Sequence, residues 1–170
     1  MYKIGVLIMS DKGARGERED KSGEVIAEMV KDMGTVDFYK VIPDDLDTIQ
    51  EQLIHVCDHL HLDLILTSGG TGFSERDVTP EATLKVIDKN APGIPAAMTA
   101  YGLQKTPRAM LSRAVAGIRG RTLIINLPGS PKAVREGLEA IVETLPHGLE
   151  VLTGHAFECA NDEKRRQEKV

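Results

Sequence analysis

Short apolar runs alternate along the chain with stretches in which apolar residues recur every three or four positions. The short runs predict buried β-strands, and helical spacing such as that of Ile49, Leu53 and Val56 predicts amphipathic helices. The predicted strands cover residues 3–9, 35–42, 63–67, 110–118 and 122–127, and the predicted helices include residues 20–33, 46–60 and 94–103.

Two pairs of Ser or Thr with Pro mark the starts of further helices. Thr79 and Ser130 are good N-cap residues, and Pro80 and Pro131 suit the first helical position. The second of these helices is predicted to run to about residue 145. The alternation of strand and helix predicts an α/β fold with a mostly parallel central sheet that is covered by helices.

In such a sheet, ligands bind beyond the carboxyl ends of the strands. Four loops follow predicted strands, and parallel strands would bring all four to one edge. Each loop contains glycine, a carboxylate, or small hydroxyl and amide residues. These loops are residues 10–11, 43–45, 68–72 and 126–131.

The chain has 170 residues, which is the size of one domain, and we expect that domain to cover residues 1–160 before a charged, frayed tail at 161–170. A net charge of −5 and the absence of Trp argue against nucleic-acid binding. The first apolar run is too short for a signal peptide, and no run approaches a membrane span, so we expect a cytoplasmic protein. Cys57 and Cys159 are too few for a disulfide framework or a cysteine zinc site.

Charge is distributed unevenly along the chain. Residues 89–135 contain eight Lys or Arg and no Asp or Glu, whereas residues 1–88 are strongly acidic. A basic half suits a polyphosphate, and an acidic half suits the metal ion that accompanies it, although charged stretches are usually solvated surface. From this distribution we expect Arg113 and Lys132 to face phosphate.

Residues 69–72, Gly-Gly-Thr-Gly, place three glycines in four positions. Without side chains, backbone N–H groups can approach an anion closely and cradle a phosphate. A tight turn between a strand and a helix explains the same glycines equally well. No Gly-Lys-Ser/Thr follows, so this is not a P-loop.

Asp11, Asp44 and Asp77 each lie in or beside one of the four loops. Mg²⁺ is usually bound by one or two carboxylates together with substrate phosphates, and the start of the helix at Pro131 would favour phosphate. The alternatives are polar loop residues, a capping carboxylate and an ordinary capped helix. No Ser-His-Asp or Cys-His set can be assembled, which argues against covalent hydrolysis.

Four motifs in this order and spacing resemble the molybdopterin adenylyltransferase family, the MogA/MoaB-type proteins of molybdenum cofactor biosynthesis. The likeness extends from about residue 3 to residue 154, nearly the whole chain. The motifs are TSGGTG at 67–72, RDVTPEAT at 76–83, TPRAMLSR at 106–113, and GIRG at 117–120 with NLPGSP at 126–131.

The resemblance implies a three-layer α/β/α sandwich, the molybdenum cofactor biosynthesis domain fold, assembled as a homotrimer or a hexamer. It also implies Mg²⁺-dependent transfer of AMP from ATP to the terminal phosphate of molybdopterin, with release of pyrophosphate. Hand-over of the product to a molybdenum insertase would follow. Because the nucleophile is already a phosphate anion, positioning and charge neutralisation would suffice for catalysis.

The resemblance further assigns residues. Asp44 and Asp77 match the essential carboxylates, and we expect them to be catalytic and to hold Mg²⁺. The residues expected to bind ATP or molybdopterin are Asp11, Gly69, Gly70, Thr71, Gly72, Ser112, Asn126, Pro128, Gly129 and Ser130, with Ser112 and Asn126 linked to the pterin side.

Three positions depart from the family pattern: Ala96 stands where many relatives have Glu, Thr99 where they have Arg, and Gly102 where they have Ser. All three belong to the pterin side of the pocket. One alternative is therefore a non-catalytic molybdopterin-binding or scaffold protein of the same family. Another is a nucleotide pyrophosphatase of the competence-damage type on the same fold. The molybdenum insertase also contains this domain, but as one module of a much longer protein.

Overall fold

A computed structural model describes residues 1–154 of the chain. The strands are β1 (Tyr2–Met9), β2 (Gly34–Ile42), β3 (Leu64–Ser68), β4 (Lys89–Asn90), β5 (Ala116–Arg119) and β6 (Thr122–Leu127). β1, β2, β3 and β6 are parallel neighbours, and β5 runs antiparallel to both of its neighbours. The strand order is β2-β1-β3-β6-β5-β4, so the prediction of a mostly parallel sheet is confirmed.

Helices connect most of the strands and cover the sheet. None of those in residues 1–154 is long and apolar enough to span a membrane. The tail predicted at 161–170, the end of the predicted domain at 160 and Cys159 lie outside the described residues. The helices are α1 (Asp11–Ala14), α2 (Lys21–Val30), α3 (Leu46–Asp58), α4 (Thr79–Val86), α5 (Gly93–Leu103), α6 (Pro131–Glu139) and α7 (Leu145–Thr153), with a 3₁₀ helix at Pro107–Leu111.

The sheet is buried on both faces. Because side chains alternate along a strand, Ile4, Val6 and Ile8 of β1 enter one core, whereas Leu7 and Met9 enter the other. The first core also takes residues from α2, α5, α6 and α7, and the second takes residues from α3 and α4. The molecule is therefore the expected three-layer α/β/α sandwich.

Two predicted elements have wrong bounds. The strand predicted at 110–118 begins too early, because Met110 and Leu111 end the 3₁₀ helix and β5 begins only at Ala116. The Thr106 hydroxyl caps this 3₁₀ helix by accepting from Arg108 N, and Pro107 is its first residue. The helix predicted from 130 to about 145 ends at Glu139. A separate helix, α7, follows with Pro146 in its first turn, where proline is tolerated because it leaves no helical hydrogen bond unmade.

The two predicted N-caps differ in outcome. The Ser130 hydroxyl accepts a hydrogen bond from Ala133 N over 3.3 Å, so the predicted cap of α6 is confirmed. Thr79 is instead the first residue of α4, and the N-cap position belongs to Val78, which makes no side-chain cap. The Thr79 hydroxyl is therefore not used to start the helix.

Candidate active site

The carboxyl ends of β1, β2, β3 and β6 meet at one edge of the sheet, as their parallel pairing requires. The register sets Ser68 beside Leu127, so the loops that follow β3 and β6 are neighbours. The Ser68 hydroxyl donates to Pro128 O over 2.7 Å, and Gly69 N donates to Leu127 O over 3.3 Å. The predicted convergence of these loops is confirmed.

The glycine turn after β3 depends on both backbone conformation and space. Gly69 and Gly70 have φ angles of +101° and +65°, a region that glycine adopts without steric cost. A Cβ on Gly69 would lie 2.4 Å from Met9 O. A Cβ on Gly70 would lie 2.3 Å from Thr79 Oγ1 and 3.3 Å from Asp44 Oδ1. The turn therefore brings bare backbone against a candidate carboxylate.

Asp11 and Asp44 hold each other in place. Asp11 N donates to Asp44 Oδ2, and Asp44 N donates to Asp11 Oδ1, each over 3.1 Å. Burial, followed by the negative charges of Asp11 and Asp77, raises the pKa of Asp44, although the hydrogen bond from Asp11 N opposes this rise. Asp44 is thus a half-buried carboxylate at which the protein concentrates negative charge.

Arg76 neutralises the other member of this pair. Its Nε and Nη2 atoms donate to the two carboxylate oxygens of Asp11 over 2.9 to 3.1 Å. The hydrogen bonds from this guanidinium lower the pKa of Asp11. Asp11 therefore supports Asp44 from one side while its own charge is paired.

Asp77 lies in the loop before α4. Its Oδ2 accepts a hydrogen bond from Ser74 N over 2.9 Å, and a Cβ on Gly72 would lie 2.9 Å from the same oxygen. Gly72 thus leaves room for the Asp77 carboxylate beside the glycine turn.

Arg113 braces the same loop from the opposite side. Its Nε donates to Gly72 O over 2.7 Å, its Nη2 donates to Asp77 O over 2.5 Å, and its Nη1 pairs with Glu81. Arg113 N also donates to Thr71 O over 2.9 Å. The expectation that Arg113 faces phosphate is wrong, because protein groups occupy its guanidinium.

Part of the basic stretch at 89–135 pairs with the acidic first half of the chain. Arg113, Arg119 and Arg135 form ion pairs with Glu81, Asp58 and Glu28. Lys132 Nζ lies 4.0 Å from Glu136, on a side chain that is 86% exposed. Three of the eight basic residues in this stretch are thus paired with acids from residues 1–88.

Two cavities open at this edge and share Gly70, Asp77, Gly129 and Ser130. The polar chamber, about 730 Å³, extends past Asp44, Gly69 and the starts of α2 and α6. The apolar-walled chamber, about 420 Å³, lies among α5, the 3₁₀ helix and α6, with Met98, Ala109 and Leu111 in its wall. The two form a bipartite cleft that is joined at the glycine turn.

The structure brings most of the predicted site residues to this cleft. Asp11 is hydrogen-bonded to Asp44 but lines neither chamber. Of the three positions that depart from the family pattern, Thr99 and Gly102 line the apolar-walled chamber and Ala96 does not. The polar chamber contains Asp44 and Gly69; the apolar-walled chamber contains Thr71, Gly72, Ser112 and Pro128; and both contain Gly70, Asp77, Gly129 and Ser130.

Asn126 is not brought to either chamber. The residue is fully buried, and its Nδ2 donates to Thr67 Oγ1 over 3.0 Å and to Thr83 Oγ1 over 2.9 Å. Its Oδ1 accepts from Val115 N over 3.1 Å. The structure thus places every polar group of this side chain in contact with the protein.

Sequence reasoning missed several residues that line the cleft. Lys21 and Ser22 start α2 at the polar chamber, and the Ser22 hydroxyl donates to Gly129 O over 2.9 Å. Asp20, the N-cap residue of α2, was the available signal for this helix start. Arg108 and Glu136 line the apolar-walled chamber, and no pattern in the sequence marks Glu136.

Comparison with known proteins agrees with this architecture. Residues 5–147 match the family model described as "Probable molybdopterin binding domain". The chain is 44% identical over 155 residues to a molybdopterin adenylyltransferase of Helicobacter pylori, which covers 89% of this chain and 88% of that protein. It is 35% identical over 173 residues to the Escherichia coli molybdopterin adenylyltransferase, and this match covers 93% of this chain and 89% of that protein.

A solved structure shows the same fold. The molybdopterin biosynthesis enzyme MoaB of Thermus thermophilus superposes with a TM-score of 0.85 at 50% sequence identity, covering 91% of this chain and 98% of that one. The match extends over the strands and loops that build the cleft. The chain therefore belongs to the molybdopterin-binding domain family of molybdenum cofactor biosynthesis.

Proposed function

We propose that this protein is a molybdopterin adenylyltransferase, a nucleotidyltransferase that transfers AMP from ATP to the terminal phosphate of molybdopterin. The observation that carries the proposal is the bipartite cleft, in which two chambers meet at Gly70, Asp77, Gly129 and Ser130. A transferase that joins two substrates through their phosphates requires two binding spaces that meet at the phosphates. The names of the relatives support the same reaction.

We assign ATP to the polar chamber and the pterin to the apolar-walled chamber. The backbone of the glycine turn and the start of α6 border the polar chamber, and both features favour phosphate. Met98, Ala109 and Leu111 offer an apolar wall to a flat ring system.

In the reaction, an oxygen of the molybdopterin phosphate attacks the α-phosphorus of ATP. A new P–O bond forms, the bond from the α-phosphorus to the bridging oxygen breaks, and pyrophosphate leaves with that electron pair. Both reactants are anions, so the protein must hold them in line and offset their repulsion. The glycine turn and the start of α6 would orient the phosphates.

Asp44 and Asp77 would hold Mg²⁺, which when bound supplies positive charge to the phosphates. Asp44 Oδ1 faces the space that a side chain on Gly70 would fill, so this oxygen is open to a ligand. In residues 1–154, no three His, Cys, Asp or Glu side chains are grouped to hold a metal ion. Two carboxylates suit Mg²⁺, which takes few protein ligands and completes its coordination with phosphate and water.

We further propose that the protein acts in the cytoplasm, where ATP is available, as a homotrimer or a hexamer. Its product would pass to a molybdenum insertase. Size-exclusion chromatography with light scattering measures the oligomeric state.

The test is turnover of ATP with Mg²⁺, in the presence and absence of molybdopterin, for the native protein and for Asp77→Asn. We expect adenylated molybdopterin and pyrophosphate only when the pterin is present. We also expect a loss of about 100-fold in kcat for the variant, because one of the two carboxylates that would hold Mg²⁺ loses its charge. Asp32→Asn is the matched control, since Asp32 is exposed and is not among the residues that line the cleft. Tight pterin binding without product would favour a scaffold protein, and pterin-independent formation of AMP would favour a pyrophosphatase.

A further inference from the structure

Thr79 has one polar group that the described part of the chain leaves without a partner. The residue is fully buried at the start of α4. Its N–H donates to Gly70 O over 3.1 Å, and its carbonyl accepts from the Thr83 hydroxyl over 2.9 Å. Its own hydroxyl, Oγ1, has no hydrogen-bond partner among residues 1–154.

A buried hydroxyl without a partner is unfavourable and uncommon, because folding removes its hydrogen bonds to water and no hydrogen bond within the protein replaces them. Thr79 is also not the N-cap of α4, so helix capping does not explain the hydroxyl. A valine of the same shape would fit the site without this penalty. The retention of a hydroxyl here points to a partner that is engaged during function.

The surroundings identify that partner. The position that a Cβ of Gly70 would occupy lies 2.3 Å from Thr79 Oγ1 and 3.3 Å from Asp44 Oδ1. The hydroxyl and this carboxylate oxygen therefore both border the space that a side chain on Gly70 would fill. The other oxygen, Asp44 Oδ2, already accepts a hydrogen bond from Asp11 N.

A buried polar chain holds Thr79 from behind. The Asn126 amide donates to Thr83 Oγ1 over 2.9 Å, and the Thr83 hydroxyl donates in turn to Thr79 O. This chain fixes the backbone of Thr79 relative to the sheet and leaves its side-chain hydroxyl unused. The backbone of Thr79 is thus fixed beside the glycine turn.

We propose that Thr79 is a positioning residue whose hydroxyl donates a hydrogen bond to Asp44 Oδ1 when substrates are bound. With Asp11 N on Oδ2 and Thr79 on Oδ1, both oxygens of the carboxylate are oriented by the protein. The inference rests on the proposed function, because that function assigns Asp44 to the phosphate and metal chemistry.

The test compares Thr79→Val, which keeps the shape and removes the hydroxyl, with Thr79→Ser, which keeps the hydroxyl. For Thr79→Val we expect kcat to fall about tenfold or more while the KM for molybdopterin stays within twofold, since a hydrogen bond to a charged group is lost. Thr79→Ser restores most of the rate. A second readout is the affinity for Mn²⁺ with a non-hydrolysable ATP analogue, measured by electron paramagnetic resonance, which we expect to weaken in Thr79→Val alone.

Thermal unfolding separates this role from a structural one. Thr79→Val should unfold at the same temperature as the native protein or at a higher one, because an unsatisfied buried hydroxyl is removed. Thr122→Val is the matched control. The buried Thr122 hydroxyl donates to Leu62 O over 2.6 Å at the amino-terminal end of β6, which is the end away from the cleft. That control should lose stability and keep native kcat.

A double variant tests the route through Asp44. In the Asp44→Ala background, which has no acceptor for the Thr79 hydroxyl, Thr79→Val should have no further effect on kcat. Native kcat and Mn²⁺ affinity in Thr79→Val, or an equal loss in both backgrounds, would overturn the inference while native turnover still supports the proposed function. Absence of pterin-dependent product from the native protein would overturn the proposed function itself.

Discussion

Asp44 carries a cost to stability that its proposed role explains. Burial, with the like charges of Asp11 and Asp77, raises its pKa in the folded protein. Charging Asp44 is therefore harder in the folded state than in the unfolded state. The resulting destabilisation is fully present above the raised pKa and disappears as the pH falls below the unfolded value.

Asp44→Asn should therefore stabilise the protein at pH 7, and this gain should shrink as the pH falls through the raised pKa of Asp44. Asp11→Asn is the matched variant of opposite sign, because hydrogen bonds from Arg76 lower the pKa of Asp11 and its charge stabilises the fold at neutral pH. Urea unfolding midpoints between pH 7 and pH 3.5 measure both effects. Equal midpoints for Asp44→Asn and the native protein at pH 7 would show that the charge of Asp44 does not destabilise the fold.

At the scale of elements, Arg113 shows how a loop without regular structure is held. Three nitrogen atoms of this side chain contact Gly72 O, Asp77 O and Glu81. These contacts attach the glycine turn and the start of α4 to the segment that precedes β5. A planar guanidinium can make these contacts together, whereas an ammonium group is a single point charge.

Arg113→Lys should cost about 1–2 kcal/mol of unfolding free energy, because at least two of these hydrogen bonds are lost. We also expect faster amide hydrogen exchange in residues 70–78 and a lower kcat. Arg135→Lys is the control, since Arg135 pairs with Glu28 on the exposed surface, where ion pairs contribute less than about 1 kcal/mol. If exchange in residues 70–78 is unchanged, the loop is held by other contacts.

The prediction of elements from sequence succeeded where the apolar runs were long and failed where a Thr-Pro start determined the local structure. The strands β1, β3 and β6 are buried on both faces and stand out as apolar runs. The 3₁₀ helix at Pro107–Leu111 contains Met110 and Leu111, which are exposed but resemble the start of a strand in the sequence. Their apolar character suggested burial that the fold does not provide.

At the scale of the molecule, the sequence predicted which loops converge but not how the charges are arranged. Convergence follows from strand direction alone, so the positions of Asp44 and Asp77 at one edge were predictable. The pairing of Arg113, Arg119 and Arg135 with acids from the first half of the chain depends on which helices become neighbours. Sequence order does not contain that information, so these ion pairs could not be predicted.

Asn126 distinguishes a residue that binds substrate from one that holds the whole molecule together. Its amide links Thr67 of β3, Thr83 of α4 and Val115 before β5, so one side chain joins three parts of the fold. The resemblance to the family links Asn126 to the pterin side of the pocket, whereas its complete burial indicates a structural role. The two roles predict different results for the same substitution.

For Asn126→Ala we expect a loss of about 3 kcal/mol of unfolding free energy, because several buried polar groups lose their partner at once. The affinity for ATP and molybdopterin, measured by calorimetry well below the unfolding temperature, should change far less than the stability. Ser112→Ala is the contrasting variant, since Ser112 lines the apolar-walled chamber and, within residues 1–154, its hydroxyl accepts only from Ala114 N over 3.3 Å. It should weaken pterin binding with little loss of stability. Native stability and lost pterin affinity in Asn126→Ala would instead place this amide in contact with substrate.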